Sequence, residues 1–342
     1  MTRSSSPTWL PLAAVGCTLV LWASAFVAIR HLGHDFSAGA LSLGRLLVAS
    51  ICLGVAAVST SSTNGNGSTT GRSSGIRGRL PHPTRREWLM LLTIGVLWFG
   101  VYNVALNQGE RQVDAGTAAM LIQVSPVLIA FLAAVFLHER FTAYLAGGLT
   151  LAFAGVALIA LSPSHSSAGN QPGGSHVVGV LLCLLSAVVY SISLILQKPL
   201  VGRLKAVHVT WLACSVGAIV CLPFAGQLVH QMGEAPASSS WWLVYLGVFP
   251  TAIAFTTYAF ALQHMDASSL GVTTYLVPPI TIVLGLVFLG EAPPALAYVG
   301  GVLALVGVAV ARRRPVHRDV SPAAPPAPEP GLATAGPDPG AR

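Results

Sequence analysis

The stretch VFLHER, at Val135–Arg140, returns as VFLGEA at Val287–Ala292, 152 positions further along the chain. Sliding the sequence by the same distance aligns Pro126 with Pro278, and no gap is needed from Gly95 onward. The second half of the chain therefore repeats the first, and we expect the fold to be built from two similar units.

The first hydrophobic stretch of each half aligns at a larger offset of 168, which pairs Trp22 with Tyr190 and Arg30 with Lys198. The 16 additional residues fall in the Ser- and Gly-rich segment of the first half, where an insertion is tolerated. The repeat thus covers the first helix of each half as well.

The composition places most of the chain in lipid. Hydrophobic residues make up 54% of the sequence and charged residues only 8%, whereas an ordinary soluble domain carries about 25% charged residues. Continuous apolar stretches close to the roughly 20 residues of a membrane-spanning helix favour helices over the short alternating strands of a β-barrel. The ten predicted spans are Trp9–Ile29, Phe36–Val58, Trp88–Asn107, Ala115–Leu137, Thr142–Leu161, Val177–Gln197, Val207–Phe224, Trp241–Leu262, Ala267–Leu289 and Pro294–Ala311.

The distribution of positive charge predicts the orientation. With ten spans and a cytoplasmic N-terminus, 15 of the 18 Lys and Arg residues fall on the cytoplasmic side, and only Arg30 and Arg111 lie outside. The positive-inside rule therefore predicts that both termini are cytoplasmic. We expect a multi-pass protein of the cell (inner) membrane. The basic balance is explained by topology, so no nucleic-acid partner is required.

The predicted organisation follows. The first five-helix repeat covers 9–161, with a flexible loop at 59–87, and the second covers 177–311. The other segments are a cytoplasmic N-terminus at 1–8, a loop at 162–176 and a disordered cytoplasmic tail at 312–342.

Because each unit has an odd number of helices, the second copy enters the membrane from the opposite side. Glu139 is then cytoplasmic and Glu291 external. The fold class predicted is an all-α integral membrane protein with ten transmembrane helices arranged as two inverted five-helix repeats, an arrangement typical of secondary transporters.

Several motifs resemble the EamA-type branch of the drug/metabolite transporter superfamily over residues 12–311. They are LVLWASAFVAIR in the first span, GRLL in the second, and P…LHE and P…LGE in the fourth and ninth. The resemblance implies a two-repeat carrier with a central cavity that exports small metabolites or amino acids. His138 departs from the Gly that the family more often has there.

Arg45 is the charged residue placed well inside a span, about 13 Å deep at about 1.5 Å per residue. A charge at that depth costs at least about 2.5 kcal/mol. Two interpretations stay open: a cavity arginine that binds a substrate carboxylate, or a structural arginine that bonds helix-end carbonyls.

For the acidic residues near span ends, a functional and a structural interpretation also stay open. Glu139 and Glu291 are interpreted either as helix-end residues favoured by the macrodipole or as gating or proton-coupling groups. Asp114 and Asp266 precede the fourth and ninth spans, and we predict that they are N-caps.

Prolines interrupt the fourth and ninth spans in both copies, at Pro126 and at Pro278 and Pro279. We predict hinges that line the cavity, with a passive kink as the alternative.

Gln123 and Tyr275 are equivalent positions one turn before these prolines and are candidate cavity residues. The remaining cavity candidates, for which interhelical packing is the alternative, are Trp22, Trp98, Tyr102, Asn103, Tyr190 and Tyr258.

Signatures of other chemistry are missing from the sequence. There is no Walker A motif for an ATP-driven pump, and neither H-E-x-x-H nor G-x-S-x-G is present. We predict a carrier that is not an enzyme, uses no cofactor or metal, and moves a small organic solute outward. Import or exchange, a receptor or scaffold, the energy source and a homodimer are left open.

Overall fold

The structure is a computed structural model, and it describes residues 9–62, 83–136, 143–162, 174–201, 203–204, 206–264 and 273–311. Within these ranges every regular element is a helix. The α-helices are α1 (Trp9–Leu32), α2 (Ala38–Ser62), α3 (Arg85–Ile94), α4 (Asn103–Gly109), α5 (Ala115–Ile122), α6 (Ser125–Phe136), α7 (Ala143–Ala160), α8 (Gly174–Val201), α9 (Ala206–Val220), α10 (Ala225–Glu234), α11 (Ala237–Leu246), α12 (Ala254–His264), α13 (Val277–Leu289) and α14 (Ala295–Ala311).

The described part of the chain contains six helices that are long and apolar enough to cross a membrane. A seventh is added if α9 and the segment Leu222–Glu234, which bend by 51° at their junction, form one span. Three further apolar helices are shorter, at Ala115–Ile129, Thr274–Leu289 and Ala295–Ala311. The all-helical membrane fold is therefore confirmed, and the count of ten remains a prediction.

Exposed apolar side chains cover the outside of the bundle. On α2, Ile51, Val55 and Val58 are each about two-thirds exposed and share one helix face, as their spacing of four and three residues requires. Such a face is stable when lipid is its solvent, since a soluble protein rarely exposes a large continuous apolar patch.

The helices extend into both ends of the predicted loop at 59–87. α2 continues to Ser62, and α3 begins at Arg85 because Thr84 and Glu87 form a capping box, in which each side chain accepts a hydrogen bond from the other residue's backbone. The predicted loop is therefore too long at both ends. The segments at 1–8 and 312–342, and residues 163–173 of the loop at 162–176, lie outside the described residues.

Two long helices each contain a π-helical segment at repeat-equivalent positions. The first is Gly95–Tyr102, between α3 and α4, and the second is Gly247–Ile253, between α11 and α12. Both begin at a glycine that packs closely on a helix of the other half. A Cβ on Gly95 would lie 2.5 Å from Val216 Cβ, and a Cβ on Gly247 would lie 2.5 Å from Val48 Cβ.

Those two valines are themselves equivalent at the offset of 168, so the two contacts are copies of one another. The crossing of α7 and α14 shows the same relation. Gly148 meets Gly307 and Gly155 meets Gly300, with each glycine facing a backbone carbonyl of the opposite helix. A two-fold operation that exchanges the halves turns one contact into the other, as an offset of 152 requires.

Candidate functional site

Aromatic rings form a cluster in the middle of the bundle, where helices from both halves meet. The Trp22 ring on α1 lies 5.0 Å from the Tyr258 ring and 5.8 Å from the Phe255 ring, both on α12. Trp98 lies 5.3 Å from Phe255 and 5.3 Å from Tyr190 on α8. Edge-to-face and tilted pairs at these separations are the favoured aromatic geometries, so the cluster is a packed apolar surface with polar rims.

Tyr102 connects this aromatic cluster to Arg45. Its ring lies 6.2 Å from Tyr190, and its hydroxyl is within electrostatic reach of the Arg45 guanidinium. Arg45 is 7% exposed and donates from Nε and Nη2 to Thr251 Oγ1, at 3.3 and 3.0 Å. Among the described residues no carboxylate forms an ion pair with it. A buried cation held by one neutral hydroxyl retains the capacity to bind an anion.

Thr251 is held in place by the second π-helical segment. Its hydroxyl donates to Leu246 O at 2.8 Å, so its lone pairs are directed toward Arg45. The first π-helical segment uses a different residue for its loosened carbonyls, because Asn103 Nδ2 donates to Trp98 O and Phe99 O. The amide nitrogen of Asn103 is thus engaged within its own span.

Gln123 and Tyr275 lie close together at the contact between the fourth and ninth predicted spans. Gln123 follows the last residue of α5, is buried, and donates from Nε2 to Thr274 O at 2.6 Å. Tyr275 is the next residue along, and its half-buried ring packs against the same core. The two repeat-equivalent positions therefore meet across the two-fold relation between the halves.

The prolines lie at helix starts. Pro126 is the second residue of α6, directly after the break at 123–124, and Pro278 and Pro279 occupy the first turn of α13. Proline is well tolerated there because the first backbone N–H groups of a helix have no partner within it. The fourth span is thus two helical pieces, α5 and α6, joined just before a proline, and residues 267–272 of the ninth span lie outside the described residues. Whether these prolines act as hinges remains a prediction.

At the predicted external end, Glu291 forms an ion pair with Arg30 of α1. Arg30 Nε lies 3.0 Å from Oε2 and 3.2 Å from Oε1, and Nη2 lies 3.1 Å from Oε1. Gly290, just before Glu291, has a φ of 65°, which glycine adopts at little cost. The pair joins the two halves of the chain. Glu139, the equivalent of Glu291, lies outside the described residues, as does His138.

Asp114 caps α5. Its carboxylate accepts from Thr117 N at 2.8 Å and from Thr117 Oγ1 at 2.6 Å, which confirms the predicted N-cap. Burial raises the pKa of Asp114, and the hydrogen bonds from Thr117 oppose that rise. Asp266 lies outside the described residues.

Sequence reasoning missed three residues near this site. Phe255 is aromatic without a polar atom, although its repeat counterpart at an offset of 152 is Asn103, which was a candidate. No feature of the sequence identified Thr251 as a site residue. Glu110 lies just past the predicted third span, but its spacing from Asn103 and Asn107 places all three on one helix face, and that pattern indicates a polar stripe extending beyond the span.

Comparison with known proteins assigns the family. The model of the EamA-like transporter family matches the chain twice, over residues 9–161 and 177–313. The chain belongs to the EamA-like transporter family. The resemblance found in its motifs is thereby confirmed.

Similar proteins cover nearly the whole chain. A probable terminal-alkyne amino-acid exporter of Streptantibioticus cattleyicolor is 36% identical over 305 residues, which is 89% of this chain and 94% of the relative. The uncharacterised transporter YdfC of Bacillus subtilis is 29% identical over 84% of this chain and 86% of its own length. A solved crystal structure is similar with a TM-score of 0.53 and 19% identity, covering 91% of this chain and 97% of its own, and this likeness concerns the fold alone.

As an EamA-like transporter, the chain is a multi-pass membrane protein that transports a solute. Membership in a transporter family also favours the prediction that it is not an enzyme. The aromatic cluster and Arg45 are the region where the candidate cavity residues of both halves meet.

Proposed function

We propose that this transporter exports small, amino-acid-like metabolites across the cell (inner) membrane by alternating access. It does so as a ten-span protein of two inverted five-helix repeats, with both termini in the cytoplasm. The observation that carries the proposal is the position of Arg45 beside an aromatic cluster to which both repeats contribute.

Three observations support the architecture. In the described residues, six long helices, one bent pair and three shorter apolar helices are ten candidates for the proposed spans. The family model matches once in each proposed repeat. The contact of Gly95 with Val216 is equivalent to that of Gly247 with Val48, and the contacts of Gly148 and Gly155 with α14 are likewise equivalent to each other. An in-plane two-fold axis produces pairs of contacts of this kind.

The solute class follows from the chemistry of the site. The Arg45 guanidinium matches a carboxylate, and the rings of Trp22, Trp98, Tyr190 and Phe255 match a small apolar side chain. An amino acid with a short unsaturated or aliphatic tail carries both groups. The relative from Streptantibioticus cattleyicolor, named for terminal-alkyne amino acids, favours the same class.

The test compares cells that express the wild type, Arg45→Ala, Arg203→Ala or an empty vector. Arg203 is a matched control because it is half exposed and pairs with Glu87 away from the aromatic cluster. The cells are loaded with propargylglycine, an amino acid with a terminal alkyne, or with its saturated analogue norvaline. Mass spectrometry then gives the ratio of each compound in the medium to that in the cells.

We expect the wild type and Arg203→Ala to raise this ratio over the empty vector. Arg45→Ala should lose about 10- to 100-fold in apparent affinity, the equivalent of a hydrogen-bonded charge contact of about 1.5–3 kcal/mol. A lower ratio than in the empty vector would indicate import. An unchanged ratio with abundant folded protein would reject amino-acid export, and a fully active Arg45→Ala would assign Arg45 to the scaffold.

A further inference from the structure

Glu110 is a buried carboxyl group that the transport site described above does not use. It follows directly after Gly109, the last residue of α4, at the predicted external end of the third span. Its side chain is 0% exposed, and neither carboxyl oxygen has a hydrogen-bond partner among the described residues. Asn107, one turn earlier, has a buried Oδ1 that also has no hydrogen-bond partner among the described residues.

The orientation of Asn107 is fixed by its other contacts. Its Nδ2 donates to Ser42 Oγ at 2.8 Å and to Ala38 O at 3.4 Å, while the Ser42 hydroxyl donates to Ala38 O. A flipped amide would set an oxygen against Ala38 O. The outer end of this helix face therefore carries three acceptor oxygens, one from Asn107 and two from Glu110, that receive no donor from the part of the chain that the structure describes.

Charged and titratable groups face Glu110 from every element around it. Arg30 on α1 donates from Nη1 to the backbone oxygen of Glu110 at 3.0 Å, while its Nε and Nη2 bind Glu291. The other groups within electrostatic reach are Arg45 on α2, Tyr102 in the first π-helical segment and Cys183 on α8, and Asp114 faces the same Cys183. Both cations are near the carboxyl group, but neither forms a direct ion pair with it in the described residues.

Burial raises the pKa of Glu110 well above its usual range, and the nearby guanidinium groups of Arg45 and Arg30 oppose part of that rise. An ionised carboxylate buried without donors costs several kcal/mol, so the group is neutral in this arrangement. The sign of the pH effect follows: closure around Glu110 is stable at low pH and loses stability as pH rises through the raised pKa of this carboxyl group.

We propose that Glu110 is the proton-carrying residue of this transporter and couples export of the solute to inward movement of a proton. When the outer end is open, the carboxylate takes a proton from external water and its O–H bond forms. The neutral side chain is then enclosed as in the present structure. The O–H bond breaks when the group next meets water that is continuous with the cytoplasm, and that water accepts the proton. The nearby positive charge of Arg45 favours the ionised form at that stage.

This inference rests on the proposed function, and one experiment separates the two. Purified protein is reconstituted in vesicles with the membrane potential held at zero, and propargylglycine is the probe. Exchange of labelled for unlabelled probe measures transport without a gradient. Accumulation with the vesicle interior one pH unit more acidic than the outside measures coupling, and one proton per zwitterion allows about tenfold accumulation per pH unit.

We expect about tenfold accumulation by the wild type and no accumulation above the external concentration by Glu110→Gln, which cannot release a proton. Glu234→Gln is the matched control, since Glu234 is an exposed carboxylate on the predicted external side and pairs only with His230 among the described residues. It should accumulate the probe as the wild type does. Glu110→Asp keeps a titratable group and should still accumulate it.

Each other outcome has a defined meaning. Exchange without accumulation in the wild type, or accumulation by Glu110→Gln, overturns the coupling role and leaves the proposed function intact. If Glu110→Gln and Glu110→Asp both lose exchange as well as accumulation, Glu110 is a packing residue and the inference fails. The absence of exchange by the folded wild type rejects the proposed solute class itself.

Discussion

The crossing of α7 and α14 gives the sharpest prediction about the scaffold, because two adjacent glycines differ completely in their surroundings. A Cβ added to Gly148 would lie 2.5 Å from both the backbone nitrogen and the Cβ of Ala311, and closer still to Gly307 O. A Cβ added to Gly147 would meet nothing within 4 Å. The pair therefore forms a substitution and its matched control on one helix.

The magnitude follows from these distances. Ordinary contact begins at 3.4 Å and the nearest atom, Gly307 O, would lie at 2.4 Å, so Gly148→Ala must separate the two helices by roughly 1 Å. The atoms in the way are mostly backbone that cannot rotate aside. Overpacking of this kind costs about 1–3 kcal/mol. Gly147→Ala should instead gain about 0.5–1 kcal/mol, since alanine loses less backbone entropy in a helix than glycine does.

Thermal unfolding in one detergent, followed by tryptophan fluorescence, measures the difference. A change of 1 kcal/mol shifts the midpoint by about 2–4 °C in domains of 150–250 residues, so Gly148→Ala should unfold at least about 3 °C below Gly147→Ala. Gly300→Ala, the repeat equivalent, should behave like Gly148→Ala because its Cβ would lie 2.5 Å from Gly155 O. Equal midpoints for the variants at 147 and 148 would refute the packing argument.

Three further predictions concern single side chains. Asp114→Ala should destabilise the protein by about 1 kcal/mol in the same unfolding assay while Asp114→Asn keeps the N-cap, and equal losses would contradict the capping role. Glutamine substitutions of Arg30 and Glu291, alone and together, should show a coupling of up to about 1 kcal/mol in a double-mutant cycle, since the pair is partly exposed; additive losses would mean that the pair contributes nothing. Thr251→Val leaves the buried Arg45 without its described acceptor and should cost about 1–3 kcal/mol, which unchanged unfolding would disprove.

The repeat in the sequence predicted more than a helix count. The offsets of 152 and 168 come from the amino-acid sequence alone, yet residues that they relate make equivalent contacts in the structure. One example is the contact of Gly95 with Val216, which is equivalent to that of Gly247 with Val48. Such agreement arises because close helix crossings tolerate only small residues, so both copies retain glycine wherever backbones meet. Sequence periodicity therefore reports the packing between the halves.

Local departures from regular helix were not predictable in the same way. A π-helical segment leaves no mark in hydropathy, and the side chains that satisfy its carbonyls differ between the copies, Asn103 in one and Thr251 in the other. Glu110 was not predicted as a site residue because, in the sequence, a charged residue just past the apparent end of a span cannot be told from an ordinary loop residue. Its burial depends on α1, α2 and α8 closing around it, which is tertiary information.

Arg30 links the two features of the external end. Its guanidinium holds Glu291 through two nitrogens and the backbone oxygen of Glu110 through the third, so a movement that withdraws α1 must break both contacts at once. The same movement takes the positive charge of Arg30 away from the Glu110 carboxyl group and lets water reach that group. The carboxyl group then loses the burial that keeps it neutral. Proton binding and outer closure are then coupled reciprocally: a proton favours closure, and closure raises proton affinity by the same factor.

On this basis Arg30→Gln should weaken the closure and at the same time raise the pKa of Glu110 in the closed state, because a cation that favours ionisation is lost. Two effects of one substitution, one on closure and one on the pH profile of accumulation, are expected only if Glu110 carries the proton; a packing role for Glu110 predicts the first effect without the second.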